Sequence, residues 1–423
     1  MGFPPSFLYT CEHVILPSTL LTSDYLMKRF TKAQRNIAIL FFTMVVMMIG
    51  FGIIIPIMPF YVDHLGVGGK ELGMLMAIFS IMQFIFAPFW GSLSDKFGRK
   101  PILIIGVFGN ALALVLMGLS TTYWMLFGSR ALAGILSSAT LPTAMAYIAD
   151  STSERDRGGG MGLIGAAMGI GMVLGPGLGG WAAASSLSLP FFLAAGLSGL
   201  SLLLLLVLLP ESLPPDRRAQ NVQLAGPRLA NMWQALAGPL GILFILAFLV
   251  SFAMTNFEAV FGLYALHRFN YGPQQVGGIL TVVGLVSAIA QGVLTGPATR
   301  RWGEINVIKT SLLASAIGFI LMLLAVDFLT VLLTVAFFVL ANAMIRPSLS
   351  ALISKLAQEG QGLVMGLTNS FMSLGRVVGP VWAGFLFDAN LHYPYISGAV
   401  IMLMGFVLSL VYLSRQKHQT AER

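Results

Sequence analysis

The run Gly171-Met172-Val173-Leu174-Gly175-Pro176-Gly177-Leu178-Gly179-Gly180 returns further along the chain as Gly375-Arg376-Val377-Val378-Gly379-Pro380-Val381-Trp382-Ala383-Gly384. Both copies lie inside long apolar segments, so the chain reads as two similar membrane halves in tandem. The repeat reaches past this motif. Gly91 and Gly98 match Gly296 and Gly303, Pro142 matches Pro347, and after a slip of one residue Met161-Gly162 matches Met365-Gly366. The copies begin on the same side of the membrane, which makes the repeats parallel, related by an axis along the membrane normal. Chains built this way carry a substrate site between the halves, so the repeat points to a carrier and away from an enzyme.

Hydrophobic residues make up 57% of the 423 residues and charged residues 9%, against roughly 25% charged in an ordinary soluble domain. So much apolar surface requires a bilayer as solvent. The apolar runs predict an all-α membrane protein whose twelve transmembrane helices form two parallel-repeat six-helix bundles. The spans fall at 37–61, 71–94, 101–120, 123–149, 158–184, 189–209, 237–265, 273–299, 304–326, 328–353, 362–387 and 393–414. The net charge of +8 is a topology signal. With both termini placed in the cytoplasm, only Lys70 and Arg268 fall outside, and Arg130, Arg346 and Arg376 lie within spans. The other cations gather inside, as the positive-inside rule requires. The pattern predicts a multi-pass membrane protein with both termini in the cytoplasm and gives no basic-aromatic surface for nucleic acid.

Several chemistries drop out. The single cysteine, Cys11, excludes an internal disulfide framework and any cysteine-based metal site. Gly68-Gly69-Lys70 lacks the spacing and the Ser/Thr of a phosphate loop, so no nucleotide cofactor is expected. Gly169-Ile170-Gly171 follows no strand and is no dinucleotide fingerprint. Neither a metal cluster nor a nucleophile–base pair is apparent. The expected partners are the lipid bilayer and a small lipophilic substrate, with the chain acting as a monomer.

Residues 1–36 read as a polar cytoplasmic tail without the charged and apolar regions of a signal peptide. Met1-Gly2-Phe3-Pro4-Pro5-Ser6 formally fits a myristoylation pattern. The plainer reading makes 1–26 an over-long start, with Met27-Lys28-Arg29 as a natural basic N-terminus. Bundles at 37–209 and 237–414 are then joined by a tether at 210–236, rich in Pro and Arg, and 415–423 form a cytoplasmic tail.

Between spans 2 and 3 stands Gly91-Ser92-Leu93-Ser94-Asp95-Lys96-Phe97-Gly98-Arg99-Lys100-Pro101. Gly91 and Gly98 suit a tight reversal where a side chain would clash. Asp95 is placed to stabilise a nearby helix N-terminus, and Arg99 with its neighbouring cations to face lipid headgroups. Arg130 lies in Leu126-Phe127-Gly128-Ser129-Arg130-Ala131-Leu132-Ala133-Gly134 of span 4, and span 5 carries the glycine-rich motif. In this order and at these spans, the three signatures resemble the major facilitator superfamily, and the Gly-Pro motif resembles the mark of its antiporter branch. The resemblance covers residues 37–414. The second half is similar to the quinolone-type multidrug:proton antiporters of Gram-positive bacteria, through Ser251-Phe252, Phe257-Glu258, Met344-Ile345-Arg346-Pro347, Gly379-Pro380 and Leu386-Phe387-Asp388. That resemblance implies that Glu258 takes and releases the proton and that Arg346 is its conformational or charge partner. It also exposes two departures. Ala343 stands where the subfamily has an aspartate, and Arg376 where a neutral polar residue is usual. Both move the central charge toward positive, which bears on coupling and on a preference for cations.

Glu258 stands out without any resemblance. It is the one carboxylate well inside a predicted span, where an unpaired charge costs at least about 2.5 kcal/mol. Desolvation disfavours the charged form of a carboxylate, the physical basis for proton uptake there. Its structural alternative is a fixed pairing with an arginine. Arg130 reads equally as structural glue or as part of proton-coupled gating. Arg346 shares a helix face with Asn342, one turn earlier, turned from lipid. Arg376 is either a cavity charge or a cation snorkelling to the cytoplasmic face. Gly171, Gly175, Pro176, Gly375, Gly379 and Pro380 suit close helix approach and bending, which a rocking carrier needs. Met48, Phe51, Phe79, Gln83, Phe257 and Phe261 are candidates for a soft cavity wall. His267, Asp150 and Asp388 read as boundary residues. The expected function is proton-coupled export of lipophilic compounds by alternating access. An organic-anion importer or exchanger and a non-transporting sensor of the same fold are the alternatives.

Overall fold

The computed structural model describes residues 32–153, 156–219, 229–357 and 361–421. The N-terminal lipidation pattern, Cys11 and the start at Met27 lie outside these residues. Twelve helices long and apolar enough to cross a membrane follow one another. They are α1 (Gln34–His64), α2 (Gly69–Phe97), α3 (Arg99–Gly118), α4 (Tyr123–Ser151), α5 (Arg157–Ala183), α6 (Leu189–Leu208), α7 (Gly241–Phe269), α8 (Pro273–Trp302), α9 (Glu304–Leu324), α10 (Phe328–Leu356), α11 (Gln361–Ala389) and α12 (Tyr393–Tyr412). The seventh lies several residues later than its apolar run suggested. Among the described residues there is no strand, as hydrocarbon demands, because a helix satisfies its own backbone. The outer surface is apolar, with Trp181, Leu203, Val207 and Leu333 exposed.

Two spans depart from ideal helix. α4 is interrupted between Tyr123–Ser137 and Thr140–Ser151. α8 holds a π turn at Ala290–Leu294, where Thr295 Oγ1 donates to the Ala290 carbonyl at 2.6 Å. The tether expected at 210–236 has structure of its own. Its first part is docked through Ala219 N–H to the Asp95 carbonyl at 3.0 Å, and Leu229–Leu236 is helical.

The repeated Gly-Pro motif works through two helix faces. On the first face, Gly171 and Gly175 of α5 press on α1, and Gly375 and Gly379 of α11 press on α7. A β-carbon at Gly175 would lie 2.8 Å from the Gly52 Cα, and one at Gly375 would lie 2.6 Å from the Phe248 carbonyl oxygen. On the second face the motif crosses between the sequence halves. A β-carbon at Gly277 of α8 would lie 2.6 Å from the Pro176 carbonyl oxygen, and one at Gly73 of α2 would lie 2.3 Å from that of Pro380. Small residues and bends here let four helices meet backbone to backbone in two related seams, α5 on α8 and α11 on α2. Both seams belong to one end of the bundle. Toward the other end, Gly158, Gly162, Gly165 and Gly169 of α5 and Gly362 and Gly366 of α11 have open space around them. The bundle is thus shut at the end bearing Gly68 and Asp388 and parted at the end bearing the arginine-rich turns.

The loop between α2 and α3 corrects three expectations. Gly98, with φ of 105°, makes the reversal, and its repeat mate Gly303 does the same with φ of 78°. Gly91 is helical, with nothing within 4 Å of a β-carbon there. The α3 N-terminus is capped by Glu211 rather than Asp95. Arg99 N–H donates to Glu211 Oε1 at 2.8 Å and Lys100 N–H to Oε2 at 3.1 Å. Arg99 is buried, not turned to headgroups, and pairs with Asp95 at 2.6 Å and Asp150 at 2.9 Å. Asp150 is therefore a structural partner and more than a boundary. Glu211→Ala is expected to cost about 0.5–2 kcal/mol by uncapping α3. A melting temperature of the purified protein equal to that of the wild type would contradict this.

Candidate translocation site

Successive helix residues step about 100° around the axis, and on α7 this separates Phe257 from Glu258. Phe257 and Phe261 are buried, with ring centroids 4.9 Å apart, and Phe257 lies 5.4 Å from Phe338 of α10. They belong to the core formed chiefly by α7–α12 and do not line open space, a correction to the cavity wall expected of them. Glu258 shares a different face with Ser251 and Thr255. Ser251 Oγ donates to the Met372 carbonyl at 2.7 Å and Thr255 Oγ1 to the Gly375 carbonyl at 3.2 Å. That face meets α11 beside Arg376.

Glu258 is half-buried. Arg376 lies within Coulombic range of both Glu258 and Arg346. The Arg376 guanidinium donates to Ser373 Oγ at 2.8 Å. Among the described residues, ion pairs within 4 Å join Arg99 to Asp95 and Asp150, His267 to Asp63, and Lys355 to Glu304. None includes Glu258, Arg346, Arg376 or Arg130. Arg346 is exposed although it lies deep in a span. Asn342, one turn away, is buried, and its Nδ2 has no hydrogen-bond partner.

Arg130 is held apart from this group. It is buried against α2, where its guanidinium sits 4.6 Å from the Phe79 ring centroid and its Nε donates to the Leu75 carbonyl at 3.3 Å. No carboxylate neutralises it there, and a cation–π contact stands in. Met48, Phe51, Phe79 and Gln83 do converge. They line a cavity of about 70 Å³ together with Met44, Met47, Asn110 and Met117. Phe51 and Phe79 form its aromatic wall, 5.7 Å apart.

The shut end carries a contact that sequence reasoning missed. Asp388, at the end of α11, accepts the Gly69 N–H at 2.7 Å and the Lys70 N–H at 3.0 Å. It caps α2 from the other sequence half, a charge at a helix N-terminus supplied in trans. Beside it His267 of α7 approaches Asp63 of α1 at 3.5 Å. Local sequence reveals only the cap that α2 supplies to itself, Glu71 accepting the Gly68 N–H at 3.1 Å, repeated at Gln275 and Gly272 of α8 at 2.8 Å. Among the described residues no group of three or more His, Cys, Asp or Glu is placed to hold a metal ion.

Comparison with known proteins places this geometry. A family model described as Major Facilitator Superfamily matches residues 40–257 and 243–423. The chain is 32% identical over 398 residues to multidrug resistance protein 2 of Bacillus subtilis (strain 168), across 93% of this chain and 100% of that protein. It is 30% identical to quinolone resistance protein NorA of Staphylococcus aureus (strain COL), across 89% of this chain and 96% of that one. Among solved structures, the human organic anion transporter MFSD10 (TETRAN) superposes with a TM-score of 0.66 at 24% identity, over 90% of this chain and 100% of that one. A point mutant of the nucleoside transporter NupG gives 0.71 at 18% identity, over 89% and 99%. These two likenesses concern the fold.

Proposed function

Because the chain belongs to the major facilitator superfamily of membrane transporters, we propose that it is a proton-coupled antiporter that exports lipophilic compounds by alternating access. That it is a transporter of small substrates and not an enzyme follows from the family and its relatives. Export is favoured by the multidrug and quinolone resistance relatives. In this reading both termini face the cytoplasm of a bacterium, so the parted end of the bundle opens inward. The single observation that carries proton coupling is Glu258, half-buried mid-span and within reach of Arg376 without an ion pair inside 4 Å. A carboxylate locked in a salt bridge keeps its charge, whereas one left unlocked in a desolvated place can alternate between charged and neutral. Cargo entering from the inside displaces the proton. Reopening to the outside lets cargo leave and a proton return, so the inward proton gradient drives export. Reciprocity requires that cargo change the proton affinity of the site by the factor by which protons change cargo affinity.

The test is proton release. Purified protein in weakly buffered detergent receives a lipophilic cationic dye, and the pH is recorded. The reading expects acidification that saturates with dye binding. Dye binding without any proton release would overturn it. The excess of arginine over glutamate favours a second reading, an organic-anion exchanger. Under that reading anionic metabolites, and not the dye, compete for the site.

A further inference from the structure

The two seams at the shut end are alike in packing and unlike in charge. In one, a β-carbon at Gly384 of α11 would lie 2.1 Å from the Gly69 carbonyl oxygen of α2. In the other, a β-carbon at Gly180 of α5 would lie 2.4 Å from the Pro273 carbonyl oxygen of α8. Gly69 and Pro273 are therefore matching residues, each the first of its helix. One turn beyond the paired glycines the match ends, with Asp388 in α11 and Ala184 just past α5. Asp388 accepts the Gly69 N–H at 2.7 Å and the Lys70 N–H at 3.0 Å. Pro273 has no N–H to give, and Ala184 has no side-chain acceptor. The Lys70 ammonium crosses the charged seam as well, 5.3 Å from the Phe385 ring centroid. One seam thus closes on packing alone, so packing does not require the carboxylate in the other.

We infer that Asp388 is a one-sided latch, a positioning residue of the transport cycle that holds this end shut and is released each time it opens. The first N–H groups of a helix have no partner within it and carry the positive end of its dipole, so a carboxylate placed on two of them is bound by both effects. Asp388 belongs to the other sequence half, and its bonds to α2 therefore exist only while α2 and α11 touch. Parting them breaks both bonds at once and leaves two donors to water. The neighbouring charges do not duplicate this contact. Glu71 accepts the Gly68 N–H of its own helix at 3.1 Å. His267 and Asp63 join α7 to α1 at 3.5 Å, but their side chains are 50% and 46% exposed, where an ion pair contributes little. The α2–α11 seam thus carries the electrostatic preference for the shut state, and the α5–α8 seam parts and re-forms on packing alone. With the parted end facing inward, as the antiport reading has it, the latch keeps the resting carrier open to cytoplasmic cargo.

Spin labels at Thr121 and Val326 test it. Both are exposed loop residues at this end, in opposite halves, and they enter as cysteines in a Cys11→Ser background of the detergent-purified full chain. Asp388→Asn keeps the size of the side chain and one acceptor but removes the charge. It should raise the ratio of long-distance to short-distance populations at least about fivefold. Asp388→Ala should do the same and serves where the Asn variant is not monodisperse. Ala184→Asp combined with Pro273→Gly supplies the other seam with the acceptor and donor it lacks. On the Asp388→Asn background this pair should return the ratio toward that of the wild type, a repair from the far seam that a merely distorted fold would not show. A ratio unchanged in both Asp388 variants overturns the proposal, and so does a shift that the second latch leaves in place. The antiport reading fails separately. If the distances shift but dye binding releases no proton, coupling is wrong and the latch stands. If proton release is found and the distances do not move, the latch is wrong and coupling stands.

Discussion

Glu258→Gln is expected to reduce proton-driven efflux in proteoliposomes to the level of protein-free vesicles while leaving the protein folded and inserted. The amide keeps the shape of the side chain and most of its hydrogen bonding, so the contacts of Ser251 and Thr255 with α11 survive. It removes the one mid-span carboxylate, and with it the group that can exchange a proton between the two sides. Substrate binding in detergent should weaken to the affinity of the protonated wild type and release no proton, because the permanently neutral side chain has nothing to lose. Export by Glu258→Gln that still follows the imposed pH gradient would end the mechanism. An accompanying loss of monodispersity would point instead to a structural role, which Glu258→Asp, ionisable but shorter, separates by recovering fold and partial coupling together.

Gly73→Val is the second large effect. A β-carbon there would lie 2.3 Å from the Pro380 carbonyl oxygen, and the obstacle is backbone, which cannot rotate aside. Overpacking of this kind typically costs about 1–3 kcal/mol. Here the cost falls on the shut state alone, because the seam exists only while α2 and α11 touch. The balance between the two openings should therefore move by roughly 5- to 150-fold toward the state open at the Asp388 end. Spin labels at His64 and Ala389, introduced as cysteines in a Cys11→Ser background, report it as a longer distance distribution. Gly277→Val should act in the same direction through the other seam, where the Pro176 carbonyl oxygen is the obstacle. Unchanged distances in both variants would mean that the motif seams do not set the opening. Transport should fall in each variant, since a carrier that cannot close one end leaks its cycle.

Much of this was legible along the chain because membrane folding writes itself in composition. Twelve spans follow from runs of apolar residues, and the two seams follow the register of the repeat, Gly180 against Pro273 and Gly384 against Gly69. What stayed hidden depended on rotation about a helix axis. Phe257 and Glu258 are neighbours in sequence, yet one enters the core and the other the cavity face, and no period in so apolar a helix distinguishes them. Asp388 and Glu211 were hidden for another reason. Each caps a helix from which it is far removed in the chain, and only the meeting of distant segments gives a boundary carboxylate that role.

The sequence by itself determined the number of crossings, the parallel repeat, the family and the lone mid-span carboxylate, because bilayer solvation and tandem symmetry act on local composition. Tertiary structure alone decided that Arg376 joins Glu258 and Arg346, that Arg130 is held away against Phe79, and which end of the bundle is shut. Those are properties of distance and facing between helices, and a charge in a membrane acquires its meaning from what stands across the gap.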